Sequence, residues 1–103
     1  MIRVIIEREI AEGLEEYYEA AIADLLGVMT GAQGYLSGES LVDIERPNHY
    51  VVVTRWADEN AWRRWFESHE RLALLDAIRP FLLTDEKYTL LRQRSFHRTA
   101  VAS

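Results

Sequence analysis

The chain has no cysteine. That absence removes disulfides, thiolate nucleophiles and cysteine-ligated metals together, and it suits a reducing compartment, the cytoplasm. Long apolar runs are missing too: nothing approaches the ~20 residues of a bilayer-spanning helix. Met1-Ile-Arg-Val-Ile-Ile-Glu7 turns charged too early for a signal peptide. The expectation is a soluble cytoplasmic protein with no membrane partner. Positive charge is short, at a net −5, so nucleic acid is a poor partner. Residues 1–50 carry ten acids and three bases, the remainder seven acids and nine bases. This reads as solvated faces, or as a basic C-terminal strand lying beside the acidic half. His69-Glu70 has no second histidine at helical distance, so no metal is expected. Gly31-Ala-Gln-Gly34 joins a helix to a strand, the wrong order for a phosphate loop.

Prolines number two, and both punctuate. Arg46-Pro47-Asn48-His49 is turn chemistry, and Pro80 stops a helix. Between these marks the pattern is regular. Ile2 to Ile6 is a β-branched strand, and residues 11–29 follow helical spacing with glutamates loading the early turns. Tyr35 to Ile44 and Tyr50 to Trp56 form a hairpin. A helix from Asp58 to Glu67 is followed by a second, capped by Ser68 and ending at Ile78. A last strand runs from Glu86 to Phe96. The order β-α-β-β-α-β is the ferredoxin-like α+β arrangement, an antiparallel sheet with helices on one face. Residues 1–96 make one domain, and 97–103 a C-terminal tail. A sheet covered on one side needs a partner, so a homodimer is expected, with Val4, Ile6, Leu41, Val51, Val53 and Leu90 nominated for the bare face or its opposite.

Three tryptophans within ten residues are the most informative feature. Trp62, Trp65, Phe66 and His69 recur at the i, i+3, i+4, i+7 spacing of one helical face, just after Trp56 closes a strand. Packing alone accounts for such residues in a small domain. Three indoles exceed what packing requires here, so at least one, Trp65, is expected to face a cavity. His69, with an ordinary pKa near ~6.5, suits a general base; alternatively it is an exposed residue at the start of the helix that Ser68 opens. Glu7 is the second base, if buried. His49 and His97 read as surface residues.

Gly34-Tyr-Leu-Ser-Gly-Glu-Ser-Leu41 followed by Tyr50-Val-Val-Val-Thr-Arg-Trp56-Ala-Asp-Glu-Asn-Ala-Trp62 resembles the antibiotic biosynthesis monooxygenase family. The resemblance implies a dimeric α+β barrel, two sheets packed face to face. It also implies one of two chemistries: oxidation of aromatic or quinol-type substrates by molecular oxygen without metal or flavin, or degradation of haem. In the aromatic-oxidising members the strand-end Trp falls on Trp56 and the helical aromatic on Trp62, while a polar Asn falls on Val52. In the haem-degrading members an Asn, a Trp and an iron-binding His fall on Glu7, Trp65 and Leu75. One of those three matches, which argues against haem. The resulting expectation is a cofactor-independent monooxygenase of an aromatic or quinol-like molecule. Trp56, Trp62 and Phe66 would line the substrate site, with Trp65 and either His69 or Glu7 catalytic. The alternative is a non-catalytic ligand-binding or dimerisation module.

Overall fold

Alternation along the first strand builds the sheet. In β1 (Ile2–Glu9) the side chains of Ile2, Val4, Ile6 and Arg8 are buried while the residues between them are not. The strand runs three residues past the expected Ile6, because a charged residue occupies an inward position: Arg8 is only 7% exposed. The structure, a computed structural model, describes residues 1–94. After β1 come α1 (Glu15–Thr30), β2 (Tyr35–Val42), β3 (His49–Trp56), α2 (Glu59–Phe66), α3 (His69–Ile78), a 3₁₀ turn at Arg79–Phe81, and β4 (Lys87–Arg92). The sheet order is β2-β3-β1-β4, with every pairing antiparallel. This is the expected α+β ferredoxin-like order, with the second helix divided into α2 and α3.

Element ends differ from the sequence reading for local reasons. α1 starts at Glu15 rather than Ala11, because Gly13 sits at φ +89° ahead of it. β2 stops at Val42, since the Asp43 carboxylate accepts the backbone N–H groups of Glu45 and Arg46 and turns the chain. β4 starts one residue late and ends at Arg92; positions 95 and 96 of the expected strand, and the tail 97–103 with His97, lie outside the described residues.

Two caps set the aromatic helices in place. The Asp58 carboxylate accepts the Ala61 N–H at 2.8 Å and starts α2. The Ser68 hydroxyl accepts the Arg71 N–H at 3.1 Å while donating to the Trp65 carbonyl at 2.7 Å, closing α2 and opening α3 in a single residue. The helices lie on the side of the sheet that carries Ile2, Val4, Ile6, Tyr50, Val52, Thr54 and Trp56, all buried. On the other side, register places Ile5 beside Val53, and Val51 beside Leu41. The residues nominated for the bare face or its opposite divide between the two, with Leu41, Val51 and Val53 on the bare one. Val4 and Ile6 lie beneath the helices, and Leu90 pairs with Val4 on that same side.

Gly34 joins the two layers. Its φ is +87°, its carbonyl accepts the Ala57 N–H at 2.8 Å, and an added Cβ would stand 2.4 Å from that of Ala61. Gly13 shares the positive φ, but nothing lies within 4 Å of its Cβ direction. Gly13→Ala is therefore expected to cost about 1–2 kcal/mol from backbone strain alone. Gly34→Ala should cost visibly more in urea denaturation; equal losses would show that the Ala61 approach is without consequence.

Candidate functional site

Between the sheet and the helices is a small, partly open cavity. Its walls are Trp62 and Trp65 from α2, Leu74 and Leu75 from α3, Ile22, Leu25, Leu26 and Met29 from α1, and Ile6 and Val52 from the sheet. It holds about 30 Å³, room for one or two waters. Its polar groups are Arg8, Arg71, Glu86, Tyr88 and Ser40. A wider cleft of about 630 Å³ lies on the far side of Leu75, Glu86 and Tyr88, which border both spaces.

The polar groups form one network. Arg8 Nε lies 2.5 Å from Glu86 Oε2, and its Nη1 donates to the Tyr18 hydroxyl at 3.0 Å. Arg71 Nη2 reaches Glu86 Oε1 at 3.3 Å and donates to the Tyr88 hydroxyl, which in turn donates to Glu86 Oε1. The Arg71 guanidinium lies 4.1 Å from the centre of the Phe66 ring, and Phe66 packs edge-on against Tyr88. Burial, and then the hydrogen bond to Glu86, push the Tyr88 hydroxyl up to about 12. Tyr88 is thus a neutral donor at ordinary pH, with a carboxylate ready to receive its proton.

The aromatic residues nominated from sequence divide. Trp62 and Trp65 line the cavity. Trp56 is fully buried and has no surface on it; its indole N–H donates to Thr54 Oγ1 at 2.9 Å, and its ring contacts Tyr35, Trp62 and Trp65. Phe66 sits one layer back, behind Arg71 and Tyr88.

Neither nominated base reaches the cavity. His69 is exposed as the first residue of α3, because the Ser68 cap breaks the helical face on which its spacing to Trp62 depended. Glu7 points to the opposite side of the sheet, one residue out of phase with Arg8, and its Oε1 lies 3.1 Å from His49 Nε2. The cavity's own ionisable groups were missed in the sequence. Arg8 follows β1 alternation into the interior, and Arg71 falls one helical turn before the inward-facing Leu74 and Leu75. Those two phases were the available signal.

His49, expected at the surface, is instead held between two carboxylates, with Nδ1 3.0 Å from Asp43 Oδ2 and its side chain 17% exposed. The Asp43 hydrogen bond foremost, and Glu7 after it, raise the His49 pKa above 6.5 despite partial burial and nearby Arg46. Asp43 is lowered from 3.8, first by the His49 bond. The histidine's contribution to stability is complete below pH 6.5 and is lost as pH rises through its raised value. The aspartate's is present above pH 3.8 and fades as pH falls through its lowered one. Wild type should accordingly lose stability relative to His49→Gln as pH rises from 6.5 through the raised His49 value. Parallel pH profiles for the two proteins would remove the histidine from the account.

Among the described residues no three His, Cys, Asp or Glu side chains converge as metal ligands, and no helix is long and apolar enough to cross a membrane. Solved structures of the same fold include an antibiotic biosynthesis monooxygenase, at TM-score 0.81 and 19% identity over 91% of this chain and 99% of that one. Another is a conserved protein from Methanosarcina mazei Go1, at 0.82 and 14% identity over 90% and 92%. A third is SnoaB, a cofactor-independent oxygenase from Streptomyces nogalater, at 0.77 and 20% identity over 91% and 94%. Identities this low speak for the fold alone. No curated protein matches the chain in sequence. The family defined as antibiotic biosynthesis monooxygenase matches residues 1–77, which span β1 through nearly all of α3. By that match the chain belongs to the antibiotic biosynthesis monooxygenase family.

Proposed function

We propose that the protein is a small monooxygenase that oxidises an aromatic or quinol-like compound with molecular oxygen, the electrons coming from the substrate itself once deprotonated. The observation that carries this reading is the Arg71–Tyr88–Glu86 chain at the floor of a cavity walled by Trp62 and Trp65. A substrate proton passes to the Tyr88 oxygen as Tyr88 hands its own to Glu86, and Arg71 steadies the charge left on the substrate. The carbanion form of the ring reduces oxygen and forms a carbon–peroxide bond. Loss of water from that peroxide leaves a carbonyl, so that a CH₂ and O₂ become C=O and H₂O. Trp62 and Trp65 hold the ring plane and keep water out. At about 30 Å³ the cavity admits a ring only when its walls part, and the flexible side chains of Leu25, Leu26 and Met29 on α1 are the walls best able to do so.

Oxygen uptake with a panel of quinols and anthrones tests the reading. Glu86→Gln should lower turnover by ~10²–10⁴-fold, the usual contribution of a general base. Trp65→Ala should mainly raise KM, and His69→Ala and Glu7→Ala should run at the wild-type rate. If His69→Ala is the variant that loses turnover, the base role passes to His69. No uptake across the panel leaves a small-ligand-binding or dimerisation module of the same fold.

The working form is proposed to be a homodimer joined through the open face, where Ile5, Val51 and Val53 are ringed by Leu41 and Leu91. Such an interface should bury more than ~1,000 Å² in total. Light scattering at micromolar concentration is expected to give twice the chain mass; a monomer mass would rule this out.

A further inference from the structure

Charge at the floor of the cavity does not balance. Arg8 and Arg71 bring two positive charges and Glu86 one negative, with side chains only 7%, 10% and 4% exposed. Tyr88 is neutral, and among the described residues no other ionisable side chain lines the cavity. One positive charge is therefore left over where water is scarce, a costly state unless an anion answers it. The proton transfer proposed above leaves this sum unchanged, because Glu86 loses its charge as the substrate gains one. The answering group must be anionic throughout, and none of the described residues supplies it.

Geometry narrows its chemistry. A guanidinium presents its N–H groups in a planar fork that fits a carboxylate. The plane of Arg71 is held by the rings of Phe66 and Tyr88, 4.1 and 5.3 Å from its central carbon. Its Nη1 is committed only to a long 3.4 Å bond with the Phe66 carbonyl, so that edge of the fork is weakly held. The remaining walls are aromatic and aliphatic, suited to a flat apolar ring. Leu75, Glu86 and Tyr88 border both the cavity and the 630 Å³ cleft outside it. Rotation of Leu75 and Tyr88 would join the two spaces into room for such a ring.

We infer that the ligand of this cavity is an aromatic acid, its ring between Trp62, Trp65 and Leu75 and its carboxylate paired with Arg71, supplying the negative charge that Arg8, Arg71 and Glu86 leave unmet. The inference rests on the proposed function only in taking this cavity as the ligand site.

The test is binding in the absence of oxygen, by calorimetry or equilibrium dialysis at pH 7.5, with 2-naphthoate and its uncharged counterpart 2-naphthamide. Wild type should bind the naphthoate at least about tenfold more tightly. Arg71→Met leaves a neutral Arg8–Glu86 pair and should abolish that preference. Glu86→Gln adds to the surplus positive charge and should enlarge it, whereas a merely structural carboxylate would give weaker binding of both compounds. If the glutamine variant does not fold, the Arg71→Met comparison decides alone. Equal affinity for the two compounds, no binding of either, or a preference that survives Arg71→Met overturns the inference. Charge-selective binding without oxygen uptake would sink the monooxygenase reading alone. Turnover of a neutral quinol by a protein indifferent to the naphthoate charge would sink this one alone.

Discussion

Glu86→Leu will lower the unfolding free energy by about 3–5 kcal/mol, because it strands two buried guanidinium groups without a counter-charge. Arg8 and Arg71 both bind this one carboxylate, and its side chain is 4% exposed. Arg71→Met should cost far less, since Arg8 still satisfies Glu86 at 2.5 Å. Replacing all three by apolar residues of similar size is expected to restore most of the loss, as buried ion clusters contribute little net stability over well-packed hydrophobic groups. Urea denaturation of the single, paired and triple variants measures this coupling directly. A loss below about 1 kcal/mol in Glu86→Leu would mean that water reaches the cluster and solvates the two arginines. The comparison bears on function too: a triple variant as stable as wild type yet unable to bind or turn over ligand would mark the network as kept for its chemistry.

Trp56→Ala is the second change with a large expected loss, about 3–5 kcal/mol out of a usual total of 5–15. The Trp56 side chain is completely buried and sits where three aromatic contacts meet: Tyr35 at 5.4 Å, Trp62 at 5.5 Å and Trp65 at 6.4 Å between ring centres. Its indole N–H donates to Thr54 Oγ1, which donates to the Val4 carbonyl at 3.0 Å, so one chain of bonds ties β3 to β1. Trp65→Ala should be milder for stability, because its ring already borders open space, and harsher for ligand binding. Chemical denaturation with oxygen uptake on the same variants separates the two roles. A Trp56→Ala protein that keeps wild-type stability but loses binding would return Trp56 to the substrate wall.

Much of this architecture could be read from residue order. Val51 to Thr54 as a β-branched run, Asp58 and Ser68 as caps, and Pro47 and Pro80 as stops all act through their immediate neighbours. Short-range chemistry of that kind is written in consecutive residues, and the strand and helix order followed from it. The two tryptophans that line the cavity were legible for the same reason, as a pair three residues apart on one helix.

The cavity's polar floor was not legible in that way. Arg8, Arg71, Glu86 and Tyr88 come from β1, α3 and the region of β4, and the bonded pair Arg8 and Glu86 stand 78 residues apart along the chain. Singly, each looks like an ordinary surface residue, and a buried arginine becomes credible only once its carboxylate is known to stand opposite. Glu7 illustrates the reverse. One step along β1 from Arg8, it faces the other side of the sheet and meets His49 instead. A helical repeat also carries no notice of its own interruption: the spacing from Trp62 to His69 is regular, yet the Ser68 hydroxyl ends the face between them. Segment type and order lie in local bonding, which neighbouring residues determine. The meeting of charges across the sheet depends on register and packing between distant segments, and these exist only in the folded chain.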